Sequence, residues 1–394
     1  MGAIWISNVR IAADNGMIER GAVKIEHGRI ARVVEHRGGD ERMPDIDPAD
    51  DLIDGGGRLL IPGMIDVHIH GANGYDMMDG TERSVEAVSE ACASAGCTSF
   101  LATSVSSTLD DLLAMIGAVA NVTGREPGAR IAGIHAEGPY LNVKRKGMQN
   151  EAYLRHPDLD EMKRVIEQAG GRLKMVTVAP ELPGGMDMVA FLHEQGIVVA
   201  LAHSDADYDQ ATEAFRLGAS HVTHCFNGMR PIHHRDPGLV AAAFEQPHVS
   251  LQAIVDNVHL HPAIVRLMHR VKGPEGVVLI TDALQAMGLG DGTYRFGGHD
   301  VTVSGGVATL KDGTLASSTV TMNQALKYTV EAGIPLHDAV TMASRTPADL
   351  LGLPRKGRIA PGADADVALL DDRFEVEWTM IEGRIVYKRG SSGG

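Results

Sequence analysis

The chain is short of cysteine, short of positive charge and without a long apolar run, and each shortage removes a class of protein. Cys92, Cys97 and Cys225 are the only cysteines among 394 residues. An odd and sparse set does not build a disulfide framework, so these are read as free thiols. Lysine and arginine number 36 against 51 aspartates and glutamates, a net charge of −15, and neither nucleic acid nor an anionic membrane is expected as a partner. An anionic ligand would need a local basic site against that background. No stretch approaches membrane-spanning length, and the apolar start Ala3-Ile4-Trp5-Ile6 is too short for a secretion signal, so a cytoplasmic protein is expected. Low-complexity segments and short-period repeats are missing as well.

What remains is a chain with 44% hydrophobic and 22% charged residues, the balance of a globular protein able to bury a large core. Its two ends read as β structure. Ala22-Val23-Lys24-Ile25-Glu26 and Ile30-Ala31-Arg32-Val33-Val34 alternate around a turn at His27-Gly28-Arg29, and residues 40–51, acidic and carrying Pro44 and Pro48, read as a surface loop;. Residues 365–370, 376–381 and 383–387 are again short strands with glycine turns, and Gly390-Ser391-Ser392-Gly393-Gly394 reads as a flexible tail. Neither end makes a comfortable sheet alone. They are expected to pair into one small β-sandwich domain, residues 1–61 and 354–390, with everything between inserted in it.

The middle, residues 62–353, alternates strand-like and helical stretches. Eight candidate strands fall at 65–70, 98–103, 131–137, 174–179, 197–203, 220–224, 249–256 and 277–282, with helical patterns such as 84–95, 109–122, 158–168, 186–195 and 207–217 between them. Eight such units predict a (β/α)8 TIM-like barrel. Residues 292–310 look like an inserted hairpin, followed by helices over 320–331 and 336–350.

The chemistry gathers at strand ends. In Pro62-Gly63-Met64-Ile65-Asp66-Val67-His68-Ile69-His70-Gly71 the two histidines, one residue apart on a strand, face the same way. Glu137, His203, His224 and Asp282 also fall at strand C-termini, the face on which a barrel builds its active site. The set His68, His70, Glu137, His203 and His224 offers only nitrogen and oxygen, which suits zinc, iron, cobalt or manganese and argues against a thiolate site. A divalent ion there would acidify a water and polarise a carbonyl. Asp282 is placed to take the water's proton and return it to a leaving nitrogen, and hydrolysis of a C–N bond is expected.

These motifs resemble the amidohydrolase superfamily. More closely, His135-Ala136-Glu137-Gly138-Pro139-Tyr140-Leu141-Asn142, Thr223-His224-Cys225-Phe226-Asn227-Gly228-Met229 and Arg235-Asp236-Pro237-Gly238-Leu239 resemble the N-acetylglucosamine-6-phosphate deacetylase family, over essentially the whole chain. The resemblance implies metal ligation by Glu137, His203 and His224 and an acid/base role for Asp282. It implies a sugar-phosphate site at Asn227 and Gly228, completed by Arg235 from the neighbouring subunit of a homodimer. His259, in Asp256-Asn257-Val258-His259, matches a histidine near the acetyl carbonyl. A planar guanidinium suits phosphate in an otherwise acidic protein.

Two points vary within that pattern. The presence of both His68 and His70 implies room for a second metal, one or two per subunit, with Glu137 bridging. No lysine offers itself as a carbamylated bridge on the fourth strand, which ends Val178-Ala179-Pro180-Glu181. Gln149 stands where some relatives carry a histidine on a sugar hydroxyl; it is expected to bind substrate, and it leaves the choice between gluco and galacto sugars open. The expected activity is metal-dependent conversion of N-acetyl-D-glucosamine 6-phosphate to glucosamine 6-phosphate and acetate. The alternatives are a related deacetylase, for N-acetyl-D-galactosamine 6-phosphate or an N-acyl amino acid, and a non-catalytic sugar-phosphate-binding scaffold.

Overall fold

A computed structural model describes residues 2–36 and 47–390. The expected tail at 391–394 and the first part of the expected loop at 40–51 lie outside the described residues.

Eight parallel strands follow one another in chain order around the barrel: Met64–Ile69, Cys97–Thr103, Arg130–Glu137, Leu173–Val178, Val198–Leu201, His221–Val222, Ser250–Ile254 and Val277–Ile280. All eight expected strands are present. The fifth and sixth stop short of their expected ends because the backbone leaves the sheet there; His203 and His224 adopt positive φ values of 46° and 28°. Helices cover the outside, and side chains set where several of them begin. Thr81 accepts from Ser84 N ahead of Glu82–Ser94, Thr108 from Asp111 N ahead of Leu109–Val122, and Asp207 from Gln210 N ahead of Tyr208–Arg216, each satisfying an otherwise orphaned amide. The helix expected over 336–350 is two, Leu336–Ala343 and Arg345–Leu350. Pro347 has no N–H to continue the helical ladder across Ser344.

No regular ladder joins the first strand to the eighth, and the barrel closes there through Asp66. Thr281 Oγ1 donates to Asp66 Oδ2 at 2.6 Å, while the amides of His68 and Thr281 donate to Oδ1 at 3.2 and 3.3 Å. Burial pushes this carboxyl up to about 7 in spite of those donors. Just above, Asp282 N donates to His68 O at 2.8 Å and His70 N to Ala283 O at 2.9 Å. The seam therefore fixes His68, His70 and Asp282 against one another.

The chain ends form the expected β domain as one continuous sheet of eight strands. Ile4–Ala13 links its parts, pairing over its first half with Asp51–Asp54 and over its second with Leu59–Pro62, which in turn pairs with Val367–Leu370. Ile6, Ile11, Val23, Leu60, Val367 and Met380 share its core. The expected hairpin after the eighth barrel strand has a third strand: Gly292–Phe296, His299–Ser304 and Val307–Thr309. Its apolar side, Phe296, Val301, Val303 and Ala308, packs on Val105 and Met148, which braces the loops over the barrel mouth. Among the described residues no helix is long and apolar enough to cross a membrane.

Replacing Thr281 by Val removes the shortest donor to a buried carboxylate at the seam. Denaturant unfolding should show a loss of about 1–3 kcal/mol.

Candidate metal centre and active site

His70, Glu137, His203, His224 and Asp282 sit at or just past the C-terminal ends of barrel strands, and Gln149, Thr314 and Ser317 reach the cleft from longer loops. His203, His224 and Asp282 reach it through left-handed backbone, with φ values of 46°, 28° and 49°. That conformation is costly for a residue with a side chain and persists where the surroundings hold it. Gly228 is required beside them. Its φ is 63°, and a Cβ there would stand 2.7 Å from His203 Nδ1.

The four histidines are held in one tautomer. His203 Nδ1 lies 2.8 Å from Arg145 O, His224 Nδ1 3.1 Å from Asn227 O, and His70 Nδ1 3.3 Å from Thr103 O. His68 Nδ1 lies 3.0 Å from Gln252 Oε1, an oxygen that also accepts from His224 N at 3.1 Å. Carbonyl and amide oxygens only accept, so every Nδ1 carries a proton, and in a neutral ring Nε2 is the atom that offers a lone pair. Those lone pairs face one another. His203 and His224 Nε2 are 3.2 Å apart, and His68 and His70 Nε2 are 3.0 Å apart. Two acceptors at that distance are held together only by a shared proton or a shared cation.

Two groups of donors result, Glu137 with His203 and His224, and Asp282 with His68 and His70. Glu137 lies between them. Its Oε1 is 3.0 Å from His224 Nε2 and 3.4 Å from His203 Nε2, and its Oε2 is 3.6 Å from His70 Nε2. Burial works against ionisation of Glu137, yet the imidazoles, His68 first, hold its carboxyl well below the ordinary range. Asp282 is treated the same way: burial opposes its charge, and His68 and His70 outweigh it. Burial drives His68 down to about 4, while Asp282, 3.1 Å from His70 Nε2, lifts His70 to about 9 against the same desolvation. All-nitrogen and oxygen donors with second partners fixed by carbonyls fit a divalent cation.

The remaining expected residues divide. Asn227, Gly228 and His259 line the cleft with Gln149, and His259 Nδ1 is 2.7 Å from Asp256 Oδ2. Gln149 points at Glu137, with Nε2 2.7 Å from Oε2. Arg235 is exposed and does not line its own chain's cleft; its Nη1 lies 2.7 Å from His234 Nε2. His135 and His221, left out of the ligand set, are buried beneath it. Their ring nitrogens bond to Thr177 Oγ1 and Ser250 Oγ, both at 2.7 Å. Sequence reasoning missed Gln252, Asp256 and Ser317, whose Oγ is 3.3 Å from Asp282 Oδ1. Only Asp256 left a signal, its three-residue spacing from His259.

Comparison with known proteins agrees with this geometry. Residues 59–386 match the amidohydrolase family, a class of hydrolase to which the barrel and its ring of nitrogen and oxygen donors correspond. N-acetylglucosamine-6-phosphate deacetylase of Bacillus subtilis is 36% identical over 392 residues, covering 98% of this chain and 97% of its own. N-acetylgalactosamine-6-phosphate deacetylase of Escherichia coli O157:H7 is 36% identical over 331 residues, 83% of this chain and 88% of its own. A solved structure of a Mycobacterium smegmatis N-acetyl-D-glucosamine-6-phosphate deacetylase variant, in complex with N-acetyl-D-glucosamine-6-phosphate, superposes with a TM-score of 0.88 at 34% identity, covering 98% and 99% of the two chains. The chain belongs to the amidohydrolase family, in the group of amino-sugar-phosphate deacetylases that these relatives make up.

Gln252 holds His68 by its side chain and the His224 backbone at once. Gln252→Leu should weaken divalent-metal affinity about 10–100-fold, read by competition with a chromogenic chelator.

Proposed function

We propose that this protein is a metal-dependent deacetylase that hydrolyses N-acetyl-D-glucosamine 6-phosphate to D-glucosamine 6-phosphate and acetate. The observation that carries the reading is the carboxylate of Asp282 set against facing imidazole lone pairs at the mouth of the barrel, in a chain whose relatives bear that activity in their names. Glu137, His203 and His224 would hold one divalent cation, zinc in this proposal, and His68, His70 and Asp282 a second. A cation bound between these donors supplies Lewis acidity for the acetyl carbonyl and lowers the pKa of a water.

Asp282, ionised through its histidine neighbours, takes a proton from the attacking water. It then returns that proton to the sugar nitrogen as the C–N bond breaks. His259 is fastened through Nδ1 to Asp256, which leaves its Nε2 side to face the carbonyl oxygen as negative charge develops there. Asn227 and Gly228 hold the sugar phosphate. No lysine or arginine is among the residues lining the cleft, so a dianionic phosphate there needs its cation from elsewhere. Exposed Arg235 of a second subunit supplies it in a homodimer, located in the cytoplasm.

The Escherichia coli relative with a galactosamine name favours a second reading, the same chemistry on N-acetyl-D-galactosamine 6-phosphate. Acetate release measured on both phosphates decides between them, with a higher kcat/KM expected on the gluco sugar. In that assay Asp282→Asn should lose at least about 1,000-fold in kcat while metal stays at Glu137, His203 and His224; near-native turnover would overturn the acid/base role. Arg235→Ala should raise KM for the phosphorylated sugar about 10–100-fold. An equal effect on the unphosphorylated sugar would remove Arg235 from the phosphate site.

A further inference from the structure

We propose that Gln149 is a positioning residue for the Glu137 carboxylate, and that it determines whether the His68, His70 and Asp282 group takes up a second divalent cation. The inference rests on the reading of two adjoining cation positions given above.

Gln149 is 2% exposed and both ends of its amide are committed. The backbone N–H of Ser106 donates to Oε1 at 2.8 Å, which identifies that atom as the oxygen. Nε2 therefore faces Glu137 Oε2, at 2.7 Å, and donates to it. Ser106 can come this close because the loop carrying it passes over Gly138, where a Cβ would lie 2.2 Å from Ser106 Oγ. The segment that carries Gln149 is itself tied to the first donor group. Gln149 N donates to Lys146 O at 2.9 Å, and the neighbouring Arg145 O accepts from His203 Nδ1 at 2.8 Å.

The two oxygens of Glu137 are thereby given different tasks. Oε1 faces His224 and His203, at 3.0 and 3.4 Å, with His68 Nε2 farther off at 3.7 Å, and Oε2 faces His70 alone of the four rings, at 3.6 Å. A glutamate carboxylate turns easily about its last torsion, where the energy wells are broad. The Gln149 donor holds that torsion so that Oε2 stays turned toward His70. A carboxylate oxygen has two acceptor positions, and one hydrogen bond leaves the other free for a cation. With Glu137 Oε2 in place, His68, His70 and Asp282 make a set of two nitrogens and two oxygens, the count a tetrahedral site needs. Gln149 is also neutral at every pH, whereas a protonated histidine at this position would set a positive charge beside the bridging oxygen.

The test is metal counting on the full-length protein. Wild type and Gln149→Met, reconstituted with Zn²⁺ and separately with Mn²⁺, are passed through gel filtration and analysed by mass spectrometry, with chelator titration for affinity. Wild type is expected to hold two ions per chain. Gln149→Met, similar in size but without the donor, is expected to keep the first and to bind the second at least about tenfold more weakly, with the metal-free form still folded and its thermal unfolding lowered only as far as the loss of the Ser106 and Glu137 hydrogen bonds requires. Gln149→Ala replaces it if the methionine variant does not fold. Two ions at wild-type affinity in the variants, with KM for the sugar phosphate raised, would overturn the proposal and make Gln149 a substrate contact. A wild-type protein that takes up only one ion would overturn the two-position reading, and this proposal with it.

Discussion

Four imidazole nitrogens brought together with their lone pairs facing are the constraint on which the site depends. Left alone, the pairs at 3.0 and 3.2 Å would repel. They stay because each ring is clamped from behind by a carbonyl or amide oxygen and because a cation or proton between them is strongly favoured. Glu137 contributes the negative charge that both groups share. Its buried carboxylate would be expensive to ionise by itself, and the surrounding rings make the charged form the stable one. Charge balance, tautomer and geometry in this cleft are a single arrangement, and a change to any one ligand is felt by the rest.

The fold meets that demand by spending regular structure. The fifth and sixth barrel strands are cut short so that His203 and His224 can turn inward on left-handed backbone, and Asp282 does the same after the eighth. Loops then brace the turns. Glu181 accepts from Asn142 Nδ2 at 2.9 Å and from Ser204 Oγ at 2.7 Å, tying the segment after the third strand to the segment after the fifth. Asp205 takes Arg145 and Arg230 at 2.9 and 3.1 Å. Strain at the ligands is thus held by a rigid rim, as a preorganised site requires.

Net charge and site chemistry pull in opposite directions. The chain carries −15, and among the described residues its cleft is lined by buried carboxylates and histidines, with no lysine or arginine. An anionic sugar phosphate is welcome there only if cations offset that field. Cations at the imidazole cluster on one side and, in the proposed homodimer, Arg235 of a second subunit on the other would offset it, and catalysis would then depend on assembly.

Much of this was legible in the chain. Alternating apolar runs with helical stretches between them point to a barrel, because period is a local property read directly from side-chain type. His68-x-His70, Glu137, His203, His224 and Asp282 were recognisable since each follows an apolar strand, and strand ends in a barrel share one face. The unbroken period of residues 336–350 predicts one continuous helix, whereas Pro347 interrupts its hydrogen bonds and two short helices form. What the sequence could not determine depends on distances between residues far apart in the chain. Gln252 behind His68, Thr281 at the seam with Asp66, and Ser106 turning Gln149 away from solvent and onto Glu137 are separated by 184, 215 and 43 positions respectively. No periodicity encodes such contacts. Only closure of the barrel brings them within reach, and only then does Gln149 become a partner of the Glu137 carboxylate.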